Sequence, residues 1–130
     1  MWISNWMTKD PVCVTPIDTL EKASHLMATG GFRQLPVIED GHLVGIVTDR
    51  DLRSHGGYYG STLVSAAMTS SPFTLSPDDS AESAAQLIIE HKIGSLPVVQ
   101  NGRVVGIVSR SDLLRALLNV LQATKHILDP

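Results

Sequence analysis

The sequence predicts a mixed α/β (α+β) fold built from two β-α-β-β-α units that pack on each other as a pseudo-two-fold pair. Three observations carry this expectation. The first is an internal repeat: sliding the 130-residue chain by 61 positions aligns residues 6–53 with 67–114 without a gap, identical at 18 of 48 positions. Met7-Thr8 falls on Met68-Thr69, Leu35-Pro36-Val37 on Leu96-Pro97-Val98, and Val44-Gly45-Ile46-Val47 on Val105-Gly106-Ile107-Val108. The second is the alternation, within each copy, of short β-rich runs with stretches of helical periodicity. The third is an Asp-Gly or Asn-Gly pair between two apolar runs in each copy, the strongest short-range hairpin signal. Two copies are too few for an open-ended stack, so they should bury their apolar faces against each other.

Each copy opens, after Pro11 or Pro72, with a short strand, Val12-Cys13-Val14 or Phe73-Thr74-Leu75, closed by Thr15-Pro16 or Ser76-Pro77. A helix follows. Its apolar positions Leu20, Ala23, Leu26, Met27 and Ala81, Ala84, Ala85, Ile88 recur at three and four, with Asp18-Thr19 and Asp79-Ser80 as N-cap candidates. Gly30-Gly31 reads as a helix end. Leu35 to Ile38 and Leu43 to Val47 then form a hairpin around Asp40-Gly41, as do Leu96 to Val99 and Val104 to Val108 around Asn101-Gly102. A second helix follows each hairpin. The one beginning near Ser111 carries Leu113, Leu114, Leu117, Leu118 and Leu121, an apolar face running toward Ile127. Ser54 to Ser61, with three glycines, reads as a linker or flexible loop. The repeats are bounded at 6–60 and 61–124.

Composition narrows the function classes without choosing among them. With 43% hydrophobic and 18% charged residues and six aromatics, the chain reads as a compact soluble protein built from aliphatics. No apolar run approaches the ~20 residues of a membrane span, and the start lacks the basic region of a signal peptide, so a cytoplasmic protein is expected. A net charge of −3 offers no field for nucleic acid. Cys13 has no partner for a disulfide and reads as a small hydrophobe in its strand, and the five histidines show no metal-ligand spacing. Glycine-rich phosphate loops and nucleophile motifs are lacking, and the acids are scattered, so no catalytic constellation is expected. Trp2, Trp6 and the leucine face of the last helix exceed the apolar surface expected of a small monomer.

The pattern with chemistry in it is Thr48-Asp49-Arg50-Asp51 and its counterpart Ser109-Arg110-Ser111-Asp112, each where a strand ends and a helix begins. Free backbone N–H groups there suit a phosphate, the hydroxyl can donate to a phosphate or ribose oxygen, and the aspartate can accept both hydroxyls of a ribose. The same spacing is close to a capping box, in which the hydroxyl and the acid satisfy the helix start. The two roles are compatible.

These residues, with the preceding Leu-Pro-Val and opening Met-Thr of each copy, resemble the CBS domain pair, named for cystathionine β-synthase. Asn5-Trp6-Met7-Thr8 and the leucine-rich last helix resemble the CBS portion of acetoin-utilisation-type proteins. The resemblance implies a regulatory, non-enzymatic module that requires no cofactor. It implies two clefts for adenosine-containing ligands, AMP foremost and ADP or ATP beside it, homodimerisation through the repeat helices, and a protein target the sequence does not name. By the same resemblance one cleft joins Ser109, Ser111 and Asp112 to Val12, Cys13, Phe32, Arg33 and Gln34. The other joins Thr48, Arg50 and Asp51 to Phe73, Thr74, Ile93, Gly94 and Ser95. Only the first then holds Arg33, so it is expected to be the better phosphate site. The alternative is a structural dimerisation module with no ligand.

Overall fold

The computed structural model describes residues 1–125; Ile127, toward which the last apolar face was expected to run, lies outside them. In chain order they form a 3-10 turn at Ile3–Asn5, β1 (Thr8–Lys9), α1 (Leu20–Gly30), β2 (Gln34–Glu39), β3 (His42–Thr48) and α2 (Asp49–Arg53). A second 3-10 turn at Tyr59–Ser61 leads to α3 (Val64–Ala67), β4 (Thr69–Ser70), α4 (Ala81–His91), β5 (Ser95–Gln100), β6 (Arg103–Ser109) and α5 (Arg110–Ala123). The strands make two antiparallel sheets, ordered β2-β3-β4 and β1-β6-β5. Among the described residues no helix is long and apolar enough to cross a membrane.

Local chemistry explains the elements that the sequence anticipated. Asp40 and Gly41 have φ of 52° and 80°, and Asn101 and Gly102 of 54° and 77°. Positive φ at both central positions makes a turn whose twist matches its strands, which is what Asp-Gly and Asn-Gly provide. Helix α1 is capped by Thr19, which accepts from Lys22 N–H; it buries Leu20, Ala23 and Met27 and ends at Gly31 with φ 72°. Helix α4 is capped by Ser80, buries Ala81, Ala84 and Ile88, and ends at Lys92, again left-handed. The neighbouring acids fix the preceding turns instead: Asp18 accepts from Thr15 N–H at 2.7 Å and Asp79 from Ser76 N–H at 2.8 Å. The Thr15 amide, with the Lys22 ammonium beside it, holds the Asp18 carboxyl below the ordinary aspartate range.

Three features differ from the sequence expectation. The opening strands shrink to single parallel bridges, Val14 on Val37 and Leu75 on Val98. The cause is that residues 11–13 and 72–74 pass between the two sheets. Asp10 N–H donates to Val105 O on β6 while Val14 N–H donates to Pro36 O on β2; Ser71 N–H donates to Val44 O while Leu75 N–H donates to Pro97 O.

The copies also exchange their opening segments. Strand β1 pairs with β6 and β4 with β3, so each Met-Thr lies on the sheet of the other copy. Ile3 is fully buried among Leu75, Leu96, Val98 and Val108, and Val64, its counterpart at a shift of 61, among Val14, Leu20, Leu35 and Val47. Met1 O accepts from Ala81 N–H and Thr62 O from Leu20 N–H, the same bond in both copies. The repeated glycine of Val-Gly-Ile-Val follows from this exchange. A Cβ on Gly45 would stand 2.7 Å from Met68 Sδ and 2.9 Å from Thr69 O, and one on Gly106 would stand 3.0 Å from Thr8 O.

Finally, residues 54–61 fold down rather than hang free. Tyr59 packs against the first core, and Thr62 Oγ1 donates to Tyr58 O at 2.7 Å. The second helices are unequal: α2 has 5 residues and α5 has 14. On α5, Ala116 is buried and Leu113 packs on the second core, while Leu114, Leu117, Leu118 and Leu121 face outward. The two sheets meet along β3 and β6. At the hairpin tips His42 Nδ1 lies 3.3 Å from Gly102 O and the Arg103 guanidinium rests against Gly41, a reciprocal contact of corresponding residues.

Candidate functional site

Both Thr/Ser-x-x-Asp motifs form complete capping boxes. Thr48 Oγ1 accepts from Asp51 N–H at 3.2 Å while Asp51 Oδ2 accepts from Thr48 N–H at 2.9 Å. Ser109 Oγ accepts from Asp112 N–H at 3.3 Å, and Asp112 Oδ2 accepts from Ser109 N–H at 2.8 Å and from Ser109 Oγ at 3.1 Å. Arg50 and Ser111 are exposed beside them. The structural role weighed for these residues is therefore present, and it rigidifies the hydroxyl and carboxylate at each strand-to-helix junction. Only α5 is long enough to add a sizeable dipole; at the short α2, side chains must supply the charge.

Strand register decides which other residues share those junctions. In an antiparallel hairpin the residues leading into the first strand lie across from those leaving the second. Gln34 pairs with Thr48, and Arg33 O accepts from Asp49 N–H at 2.9 Å. Likewise Ser95 pairs with Ser109, Gly94 O accepts from Arg110 N–H at 3.1 Å, and Ile93 O accepts from Arg110 Nε at 3.1 Å. Register thus sets the backbones of Arg33 and Gln34 beside the Thr48 motif and those of Ile93, Gly94 and Ser95 beside the Ser109 motif; it assigns none of their side chains to one cleft or the other. Phe32 is half-buried with its ring against Gly30, and Arg33 is exposed.

The remaining candidates lie on the two crossing segments. Val12 is exposed and Cys13 half-buried, its thiol donating to Pro11 O; burial pushes that thiol above its ordinary range. Thr74 is exposed, and Phe73 stacks on His91 at the end of α4, ring centroids 4.0 Å apart and planes inclined by 21°. Two partners were not named for these roles in the sequence: His91 as the base of that stack, and Arg115, whose Nη2 donates to Asp112 Oδ1. The i,i+3 spacing of Asp112 and Arg115 was the signal available for the second. Among the described residues no cluster of metal-ligating side chains occurs.

A separate concavity lies on the helix face. Between α4 and α5 runs a groove of about 690 Å3 with Ala85, Ile88, Leu113, Leu114, Leu117 and Val120 in its walls. Its counterpart in the first copy, about 290 Å3, has Ser24, Met27, Asp49, Leu52, Arg53 and Tyr59. A shift of 61 maps Ser24 onto Ala85, Asp49 onto Arg110, Arg53 onto Leu114 and Tyr59 onto Val120, so the second groove is larger and carries apolar side chains at three positions where the first carries polar ones.

Two like units, exchanged strands and twin capped junctions define a paired α+β module. The CBS domain matches residues 3–57 and 64–119, and the chain belongs to that family, carrying two copies. It is 31% identical to CBSX2 of Arabidopsis thaliana, solved in complex with AMP, over 92% of this chain and 97% of that one, with a TM-score of 0.83. A Vibrio cholerae structure described as an acetoin utilization protein (AcuB) is 28% identical over 97% of this chain and 96% of that one, with a TM-score of 0.84. An inosine-5'-monophosphate dehydrogenase of Korarchaeum cryptofilum is 37% identical over 110 residues, which are 84% of this chain and 23% of that enzyme.

Proposed function

We propose that the chain is a regulatory module that binds an adenosine-containing ligand, AMP foremost, at the junctions between its copies, and that it works in the cytoplasm as a homodimer acting on a protein target. The observation that carries this reading is the pair of capped junctions, each presenting a fixed hydroxyl and carboxylate beside exposed polar residues, in a fold whose relative CBSX2 was solved with AMP. A ligand that touches both copies and prefers one relative arrangement of them shifts the population toward it. Titration of AMP into the full chain during thermal unfolding tests this. At 100 times Kd, AMP should add about 2.7 kcal/mol of stability; an unchanged melting temperature in millimolar AMP, ADP, ATP and adenosine would leave the ligand-free interaction module as the better reading.

The homodimer is supported by the groove between α4 and α5. Its apolar walls carry Glu82 in the first turn of α4 and Lys92 just past the end of that helix. A second copy laid antiparallel across the groove sets each Glu82 against a Lys92 and covers Leu114 and Leu117 from both sides. Light scattering across micromolar concentrations should return twice the 14.0 kDa chain mass; a monomer mass would overturn it.

A further inference from the structure

We infer that the groove between α1 and α2 is a second ligand site, separate from the strand-to-helix junctions, and that it takes a zwitterionic α-amino acid with an apolar side chain. The groove measures about 290 Å3, at the small end of ligand clefts, so its occupant is small. Its lining is of two kinds. Met27 and Leu52 are buried and Tyr59 is half-buried against the first core, which makes an apolar floor. Asp49 and Arg53 bring one charge of each sign to the wall, with Ser24 beside them.

Asp49 and Arg53 stand four apart on α2, a spacing at which opposite charges commonly pair. Here they do not: the ion pairs among the described residues join Lys22 to Asp18 and Arg115 to Asp112. Asp49 Oδ1 instead accepts from Arg50 N–H at 2.9 Å, which leaves Oδ2 open. A ligand carrying both an ammonium and a carboxylate satisfies both residues at once. Asp49 accepts from the ammonium, the Arg53 guanidinium donates to the carboxylate, and an apolar side chain lies on Met27 and Leu52. A phosphate ester would meet one guanidinium and one repelling carboxylate, so the net-neutral ligand is the better match.

The site belongs to the first copy alone. The shift of 61 replaces Asp49 with Arg110, Arg53 with Leu114 and Tyr59 with Val120, which removes the carboxylate, the guanidinium and the aromatic ring together. Chain path adds to this. Where the second copy continues α5, the first stops its helix at Arg53 and turns, with φ of 91° at Gly57, so that the 3-10 turn Tyr59–Ser61 packs on α1. The interruption is what brings Tyr59 to the groove.

Calorimetry on the full chain tests the inference, with L-leucine and L-methionine as probes. Leucinamide, which lacks the carboxylate, and 4-methylpentanoate, which lacks the ammonium, are the comparisons. Wild type should bind one L-leucine or L-methionine per chain, and each comparison compound about tenfold more weakly, the size of one lost charge-assisted contact. Arg53→Gln should weaken the amino acid and leave leucinamide unchanged; Asp49→Asn should weaken the amino acid and leave 4-methylpentanoate unchanged. That split is one a folding defect would not produce. Saturating AMP should leave the amino-acid titration as it was. No binding of either amino acid at millimolar concentration, leucinamide binding as well as leucine, wild-type affinity in both variants, or displacement by AMP would each overturn the inference. None of these results bears on the adenosine reading, which its own titration decides.

Discussion

Replacing Gly45 or Gly106 with alanine tests the strand exchange directly, because those glycines exist to let the other copy's Met-Thr segment lie flat across them. At Gly45 the new methyl would stand 2.7 Å from Met68 Sδ and 2.9 Å from Thr69 O. The thioether can swing aside, but the carbonyl belongs to β4, held in register by Gly45 opposite Ser70 and Ile46 opposite Thr69. Ordinary contact requires the strand to retreat by roughly half an ångström or more, in the range where overpacking costs about 1–3 kcal/mol. For a chain of this length that is roughly 3–15 °C in Tm. Gly94→Ala is the control: nothing lies within 4 Å of its methyl and its φ is not positive, so it should be neutral or slightly stabilising. Melting curves by circular dichroism decide the matter. Wild-type Tm in both Gly45→Ala and Gly106→Ala would mean that the segments do not lie across these strands.

Ile3→Ala, three residues from the start, should cost about 2–5 kcal/mol because the side chain is fully buried in the second core; a urea midpoint unchanged from wild type would contradict the exchange. Leu117→Glu, in the wall of the open groove and 52% exposed, should leave the fold intact and yield a monomer by light scattering; a persistent dimer would place the interface elsewhere. Asp18 has a lowered carboxyl pKa, so its contribution to stability is present above the ordinary aspartate value, about pH 4, and is lost as pH falls through the lowered one. The Tm difference between wild type and Asp18→Asn should therefore be largest near neutrality and shrink toward pH 3, and a difference that grew on acidification would reverse the sign of the argument.

What the sequence made legible was local. The hairpins, the Thr19 and Ser80 caps, the Gly31 stop and the buried faces of α1 and α4 all follow from neighbouring residues, and a 61-residue shift shows each of them twice. What it did not reveal depends on pairing between distant segments. Met7-Thr8 and Gly106 are visible as repeated residues, but no periodicity says that a residue near the start lies over one near the end. What register does make legible is backbone proximity within a copy: the two-residue turn at Asp40-Gly41 leads along the strands to Gln34 opposite Thr48, whereas any grouping of side chains across the copies depends on how the two sheets pack.

The exchange also bears on how such a module transmits a ligand's presence. Each copy owes part of its sheet and core to a segment covalently continuous with the other, so the copies cannot separate without exposing Ile3 or Val64 and breaking β1 or β4 from its sheet. They also touch where β3 meets β6, with His42 at Gly102 and Arg103 at Gly41. A small rotation about that contact would bend the crossing residues 11–13 and 72–74, which carry Val12, Cys13, Phe73 and Thr74. A ligand seated at one junction and touching a crossing segment would therefore bias the rotation itself, and the outward leucines of α5, which begins at the Ser109 junction, would carry that bias to whatever covers them.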